Sequence, residues 1–283
     1  MIIELIIIVT LFFIFKWIYL NNLLLFLDLI AEIVTRFSLL TKSKDKIINF
    51  NLNLVYQKKL EINEINKLNY TSRKLSVLNF LIALHQRFLI SNNYLLKYYF
   101  DITLPNDLKE DIANNKVIFA MAHYGIYYDF TSFLNSTNYY FGCVYKMKNK
   151  ILEKIVYDCK EYQAKVTPIL YNKLALHMKK NYDIITIPCD HKNKSSKTKI
   201  NFLGQETGFH FSVADIHKIT GRSIWVFLSD YNFETKKISI KLIPIQRKLD
   251  STRKTVIVQK IADTFTNQIM SNPEQYSWNF KRF

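Results

Sequence analysis

The sequence is poor in the residues that build flexible loops, tight turns and cross-links. It has only five glycines, five prolines and three cysteines in 283 residues. No linker rich in serine, glycine or proline appears, so we expect one large domain behind an N-terminal helical region. The cysteines are odd in number and lack metal-motif spacing, which favours reduced thiols in a cytoplasm-facing domain over a disulfide framework.

Several catalytic signatures are also missing. Neither a glycine-rich phosphate-binding loop nor a Gly-x-Ser-x-Gly nucleophile elbow occurs. Cysteine, aspartate and histidine residues do occur between positions 189 and 217, but their spacing matches no zinc pattern. We therefore expect no metal site.

Positive charge is what the sequence has in excess. Its 39 lysines and arginines outnumber 23 acidic residues, for a net charge of +16. This charge favours anionic partners: a membrane surface, phosphorylated lipids, an acidic carrier protein or nucleic acid. The 18 tyrosines and 21 phenylalanines would suit single-stranded nucleic acid. However, they lie mostly in apolar runs rather than among lysines, so we expect no nucleic-acid partner.

Residues 1–27 are dominated by isoleucine, leucine and phenylalanine. They carry no basic n-region and no small-residue cleavage site, which argues against a removed signal peptide. The stretch can span a bilayer if Glu4 and Lys16 lie toward its two surfaces, and a helix in the membrane plane is the alternative. The positive-inside rule puts the remainder of the chain in the cytoplasm, because lysines follow the stretch at 42, 44 and 46.

Hydrophobic periodicity predicts helices alternating with strands. Helices are predicted over 23–40, 61–100, 152–162 and 255–271. Short apolar runs predict strands over 116–122, 182–188, 223–228 and 237–245. This alternation predicts an α/β fold. His123 directly follows the first strand, at the carboxyl edge where α/β folds place their chemistry.

Four short segments together resemble those of one enzyme family. They are Met-Ala-His-Tyr-Gly-Ile-Tyr-Tyr-Asp at 121–129, Tyr-Lys-Met-Lys-Asn at 145–149, Phe-Leu-Gly at 202–204, and Pro-Glu-Gln-Tyr-Ser-Trp at 273–278 followed by Arg282. In this order, behind an apolar N-terminus, they resemble the bacterial lipid A biosynthesis acyltransferases. That family is the lauroyl/myristoyl branch of the lysophospholipid acyltransferase superfamily. The segment Asn-Leu-Asn-Leu at 51–54 extends the resemblance over most of the chain.

His123 and Asp129 are the catalytic residues that the resemblance implies. Acyl transfer to a hydroxyl needs a base, and histidine suits this role because its ordinary pKa lies near neutrality. A carboxylate behind the ring would fix its tautomer. The superfamily places the acid after four intervening residues, where this chain has Tyr128, and Asp129 comes one position later. Either a turn at Gly125 brings Asp129 to His123, or Tyr128 orients the ring, or the dyad is broken.

Other positions match family segments that hold anionic substrate groups or build the site. Lys146 and Lys160 stand where the family has arginine, which keeps the charge but loses the bidentate fork. Solvated lysines on a basic chain are the alternative for both. Asp190 follows a predicted strand and is expected at the cleft, beside His191 where the family has glutamine. The resemblance thus implies substrate-binding roles for Lys146, Asn149, Lys160, Asp190, Glu274 and Arg282.

The resemblance implies a membrane-bound O-acyltransferase. Its fold would be a mixed central sheet flanked by helices, with a transmembrane or membrane-anchoring helix in residues 1–27 and an acyltransferase-like α/β domain in residues 28–283. Acyl carrier protein, or less readily coenzyme A, would donate an acyl chain to a hydroxyl of a phosphorylated glycolipid at the inner membrane, without a metal or tightly held cofactor. The alternatives are another glycolipid or a lysophospholipid as acceptor, or an inactive relative that binds lipid.

Overall fold

The fold is described here from a computed structural model of the chain. The structure describes residues 24–40, 42, 44–91, 104–127, 139–145, 166–170, 174, 182–191 and 198–283. The helices are α1 (24–40), α2 (Asp45–Val55), α3 (Ile62–Ser91), α4 (Asn106–Asn114), α5 (Ser212–Thr220) and α6 (Lys254–Ser271). The strands are β1 (Val117–Gly125), β2 (Phe141–Tyr145), β3 (Val166–Leu170), β4 (Ile184–Pro188), β5 (Lys199–Phe202), β6 (Gln205–Gly208), β7 (Ser223–Tyr231) and β8 (Ile238–Gln246).

Six strands of the described ranges form one mixed sheet in the order β3-β2-β4-β1-β7-β8. The pairs β3-β2, β2-β4, β4-β1 and β1-β7 are parallel, and only β7-β8 is antiparallel. Strands β5 and β6 form a separate antiparallel hairpin. The predicted α/β fold with a mixed sheet flanked by helices is therefore confirmed.

The central position of β1 explains its composition. All nine of its residues are buried, because parallel strands in the middle of such a sheet are covered on both faces. Ile118 and Ala120 point into one core cluster, with α2, α5 and α6, whereas Val117 and Phe119 point into the other, with α1 and α4. Helix α3 contributes to both clusters. The alternation follows from the two-residue period of a strand.

The predicted strands and helices mostly match the observed ones, with one informative difference at β1. The predicted strand 116–122 continues to Gly125 in the structure, so His123 lies inside the end of the strand rather than after it. The predicted helix 152–162 and residues 92–100 of the predicted helix 61–100 lie outside the described ranges.

The predicted membrane helix at residues 1–27 falls almost wholly on residues 1–23, which lie outside the described ranges. Among the described residues, no helix combines the length and the apolar character that crossing a membrane requires. The membrane helix therefore stays a prediction.

Candidate functional site

Two neighbouring parallel strands bring His123 and Asp190 together. Met121 on β1 is the register partner of Pro188 on β4. Because parallel strands advance in the same direction, the residues two positions further along, His123 and Asp190, meet at the carboxyl edge of the sheet. This edge is where open α/β sheets carry their ligand sites.

The Asp190 carboxylate binds His123 through both the ring and the main chain. Its Oδ1 lies 2.7 Å from His123 Nδ1, and its Oδ2 accepts the main-chain N–H of His123 at 3.1 Å. Because an ionised carboxylate only accepts hydrogen bonds, Nδ1 carries the proton in a neutral ring and Nε2 keeps its lone pair. His123 is therefore held in the tautomer that lets Nε2 take a proton from a hydroxyl.

Asp190 is ionised although its side chain is fully buried. Burial raises the pKa of this carboxyl, but the charges of Arg282 and His123 and the hydrogen bond from His123 outweigh it and hold the pKa below its usual range. The Tyr276 hydroxyl donates a further hydrogen bond to Oδ2 at 3.1 Å, and burial keeps the pKa of that hydroxyl well above its usual value. Asp190 is thus a fixed negative charge behind the His123 ring.

Arg282 supplies the positive charge that balances Asp190. Its Nη2 lies 2.9 Å from Asp190 Oδ2, in an ion pair rather than an aligned hydrogen bond. Its Nη1 donates to the Asp190 carbonyl and to Nδ1 of His191, each at 3.2 Å. The Phe280 ring packs on the guanidinium at 4.9 Å and on the His123 ring at 4.8 Å. The Asp190–Arg282 ion pair is therefore flanked by His123, His191 and the Phe280 ring.

His191 is a neutral neighbour of His123. Their ring centroids are 4.3 Å apart, in an edge-on arrangement. Burial is the main cause that lowers the pKa of His191 to about 3, and the positive charges of His123 in its protonated form and of Arg282 lower it further. Arginine has only donors, so Nδ1 of His191 must accept the bond from Arg282, and the proton lies on Nε2. His191 thus presents one N–H donor beside the candidate base.

The chain after α6 holds the site together. Its short 3-10 turn, Pro273–Gln275, is followed by an antiparallel bridge between Tyr276 and Tyr124. The next residue, Ser277, donates its main-chain N–H to the His123 carbonyl at 3.0 Å. From α2, the Asn51 side chain donates to the carbonyls of Trp278 and Phe280, each at 2.7 Å. The C-terminal segment is therefore a wall of the site rather than a tail.

Gly125 ends β1 in a position that no other residue fits. Its φ is +58°, and a Cβ at this position would lie 1.4 Å from the Ser229 carbonyl oxygen on β7. Only glycine combines the left-handed conformation with this close approach. The turn that follows His123 therefore depends on Gly125.

Three of the predicted site residues meet in this cluster: His123, Asp190 and Arg282. Glu274 does not join the described cluster contacts, since its Oε1 pairs with Lys67 Nζ on α3 at 2.8 Å, in a partly exposed position. The remaining predicted residues, Asp129, Lys146, Asn149 and Lys160, lie outside the described ranges, as does Tyr128. Their roles stay predictions.

Two residues of the cluster were not predicted from the sequence as site residues, namely Tyr276 and His191. Tyr276 sits within the recognised C-terminal segment, so that segment was the available signal. The link from His191 to Arg282 had no signal in the sequence, because the two residues are 91 positions apart.

The described cluster is suited to proton transfer rather than to metal binding or thiol chemistry. In the described parts of the chain, no group of three or more histidine, cysteine or acidic residues is arranged to hold a metal ion. Burial and the nearby Asp190 charge raise the pKa of the Cys189 thiol, which keeps it protonated and poorly nucleophilic.

Comparison with known proteins identifies the family. The family model for bacterial lipid A biosynthesis acyltransferase matches residues 5–283, nearly the whole chain. No curated protein sequence matches the chain. The chain belongs to the bacterial lipid A biosynthesis acyltransferase family, and it is an acyltransferase.

Proposed function

We propose that this acyltransferase moves a fatty acyl chain from a thioester donor to a hydroxyl of a phosphorylated lipid A precursor, with His123 as the general base. The observation that carries the proposal is the 2.7 Å contact between His123 Nδ1 and the buried Asp190 carboxylate. A histidine with Nδ1 bound to a carboxylate leaves Nε2 to accept a proton, as in serine hydrolases.

The reaction follows from this geometry. Nε2 of His123 takes the proton of the acceptor hydroxyl while the hydroxyl oxygen attacks the thioester carbonyl carbon. The tetrahedral oxyanion collapses, the carbon–sulfur bond breaks, and the leaving thiolate takes the proton from the imidazolium. During the step, the charge of Asp190 stabilises the imidazolium, and the hydrogen bond to Nδ1 keeps the ring oriented.

Donors for the oxyanion are also part of the proposal. Nε2–H of the neutral His191 is one candidate, supported by its position edge-on to the His123 ring. Lys146 and main-chain N–H groups are the others. We keep Asn149 and Lys160 as proposed ligands of substrate phosphate or carboxylate groups.

We further propose acyl carrier protein as the donor, with coenzyme A as the alternative, and the inner membrane as the location, with the catalytic domain on its cytoplasmic side. The net charge of +16 suits both an acidic carrier protein and a phosphorylated lipid. The apolar stretch up to residue 23 would form the membrane helix, because Leu24 and Leu27 are already buried in the core of the domain. The lysines at 42, 44 and 46 support the cytoplasmic side.

The test is acyl transfer in detergent from labelled acyl carrier protein, and in parallel from labelled acyl-coenzyme A, to a phosphorylated lipid A precursor. Wild type should transfer label from at least one donor, and His123→Ala should lose about 10²–10⁴-fold. His123→Asn is the matched control, because its amide can still donate to Asp190 while Nε2 is gone.

The expected result is that His123→Asn folds with nearly wild-type stability and still loses activity. Wild-type turnover that survives in both His123 variants would overturn the role of His123. An absence of wild-type turnover with either donor would overturn the proposed acceptor.

A further inference from the structure

Helix α1 is apolar on two faces, but only one of them is buried. Its inner face, which includes Leu24, Leu27 and Ala31, lies in the core. Its outer face, defined here as Leu25, Leu29, Ile33, Phe37 and Leu40, is exposed, with Phe37 at 66% and Leu40 at 78%. At 100° per residue these five side chains fall within about 120° of the helix circumference. Arg36 lies within the same arc and pairs with Glu32 at 2.9 Å, so the outer face is apolar apart from one basic side chain.

Buried ion pairs hold α1 in this orientation. Asp28 on the inner side lies 3.1 Å from Lys74 on α3 and 2.9 Å from Lys236 in the β7-β8 turn. One turn later, Glu32 lies 3.1 Å from the same Lys74 and accepts a hydrogen bond from Tyr70. Rolling the helix to hide its outer face would strip buried charges of their partners, which is costly. The outer face is therefore presented outward by the fold itself.

Positive charge continues this surface past the end of α1. Lys42, Lys44 and Lys46 follow within six residues of Leu40, and all three are exposed. Asp45, the acidic residue among them, pairs with Arg73 on α3 at 2.5 Å. On α2, Phe50 is a further exposed apolar residue, at 56%. An apolar stripe bordered by lysines matches the acyl chains and anionic head groups of a lipid surface.

Helix α1 also lies at the edge of the sheet that carries the site. The Tyr231 hydroxyl at the end of β7 donates to Asp28 at 3.0 Å. On the neighbouring parallel strand, Gly125 is the register partner of Ser229, two residues before Tyr231. Helix α1 is thus fastened to the carboxyl edge of the sheet, where His123 and Asp190 meet.

We propose that the outer face of α1 docks on the surface of an anionic lipid bilayer, as a contact separate from residues 1–23, with the site edge of the sheet toward the head groups. That the acceptor lipid then reaches His123 from this bilayer rests on the proposed function. The docking itself does not.

The docking is tested with variants of the full-length chain that each carry one added tryptophan. A background with Trp17→Phe keeps Trp225 and Trp278, which are buried and common to all variants. Phe37→Trp places an indole on the outer face. Leu249→Trp is the matched control, because Leu249 is 54% exposed in the loop after β8, at the opposite edge of the sheet.

The probe is vesicles of phosphatidylethanolamine and phosphatidylglycerol whose acyl chains are brominated and quench indole fluorescence on contact. We expect the indole at position 37 to be quenched at least about threefold more strongly than that at position 249. Vesicles of phosphatidylcholine should quench it less, because they lack the anionic head groups.

Three results would overturn the docking. They are equal quenching at both positions, no quenching at position 37 although the protein floats with the vesicles, and a blue shift at position 37 that depends on protein concentration without lipid. The second would place the membrane contact elsewhere in the chain, and the third would mean that a second copy covers the face.

A second variant separates the docking from the proposed function. Phe37→Glu combined with Leu40→Glu should keep wild-type turnover on an acceptor supplied in detergent and lose at least about tenfold on an acceptor embedded in anionic vesicles. Equal turnover in vesicles would overturn the docking. If wild type shows no turnover in detergent, the proposed function fails, and the fluorescence result still decides the docking.

Discussion

Asp190 binds His123 at two points, with Oδ1 2.7 Å from the ring Nδ1 and Oδ2 3.1 Å from the main-chain nitrogen. The first contact sets the tautomer of the ring, and the second fixes the strand residue that carries it. A single carboxylate therefore determines both where the proposed base lies and which of its nitrogens keeps the lone pair. Arg282 in turn keeps that carboxylate ionised within the protein.

Replacing Arg282 should destabilise the protein in a pH-dependent way. Arg282→Gln removes the positive partner of a buried carboxylate, which we expect to cost about 3–5 kcal/mol of unfolding free energy at neutral pH. The pKa of Asp190 is depressed in the folded state, so its contribution is present above about pH 4 and is lost as the pH falls further.

The difference in unfolding free energy between wild type and Arg282→Gln should therefore shrink below about pH 4. Urea unfolding at pH 7 and pH 3.5 measures it. Arg282→Lys, which keeps the charge, should lose less unfolding free energy at pH 7 than Arg282→Gln. A gap that is constant with pH would argue against the ion pair as the source of the effect.

His191 should make the protein sensitive to mild acid. Its pKa falls to about 3 in the folded state, so the unfolded chain binds a proton at this position between about pH 6.5 and pH 3 and the folded chain does not. The titration of His191 should therefore lower the unfolding free energy of wild type by up to about 1.4 kcal/mol per pH unit as the pH falls below 6.

His191→Gln removes this titration and leaves an amide oxygen that can accept from Arg282. The variant should lose less stability than wild type between pH 7 and pH 4.5, a range that stays above the ordinary pKa of aspartate. Thermal unfolding across that range provides the measurement. Parallel stability curves for the two proteins would contradict the half-buried, neutral state of His191.

Gly125 should tolerate no side chain. Gly125→Ala would place a Cβ 1.4 Å from the Ser229 carbonyl oxygen, so β1 and β7 must separate at the site edge. We expect a loss of more than about 3 kcal/mol in unfolding free energy and loss of acyl transfer.

Gly221→Ala is the control, because Gly221 has a similar φ of +71° but open space around its Cβ position. Gly221→Ala should lose only about 1 kcal/mol of unfolding free energy, which is the cost of holding an alanine at a positive φ. Equal losses in the two variants would show that the close approach to Ser229 is not what requires glycine at position 125.

The sequence predicts His123 as the base and, from the spacing of the family motif, pairs it with Asp129. His123 and the C-terminal segment were recognised because their residues are contiguous. The partner at Nδ1 is Asp190, 67 positions away, because β4 lies beside β1 in the sheet. The sequence predicts Asp190 at the cleft as a substrate ligand. It does not predict the pairing of Asp190 with His123, because strand order cannot be read from a pattern of apolar runs.

Strands β1, β4, β7 and β8 were predicted from their apolar or alternating residues, whereas the short strands β2, β3, β5 and β6 were not. Strands β1, β4 and β7 are apolar runs that any pattern analysis finds, whereas β2 is five residues long and contains a glycine. The sequence places the end of β1 at residue 122, three residues too early, because the apolar run ends there. In the structure, neighbouring strands and the segment after α6 pair with these residues and extend the strand.

The most direct test of the account is acyl transfer by Asp190→Asn beside Asp129→Asn, both measured against wild type at neutral pH. An amide at position 190 keeps the shape but offers no negative charge to Nδ1 of His123, so we expect a loss of roughly 10³–10⁴-fold in kcat. The loss should appear in kcat rather than in KM, because Asp190 acts through the base. Wild-type kcat in Asp190→Asn, with a large loss in Asp129→Asn, would contradict the account and return the orienting role to Asp129.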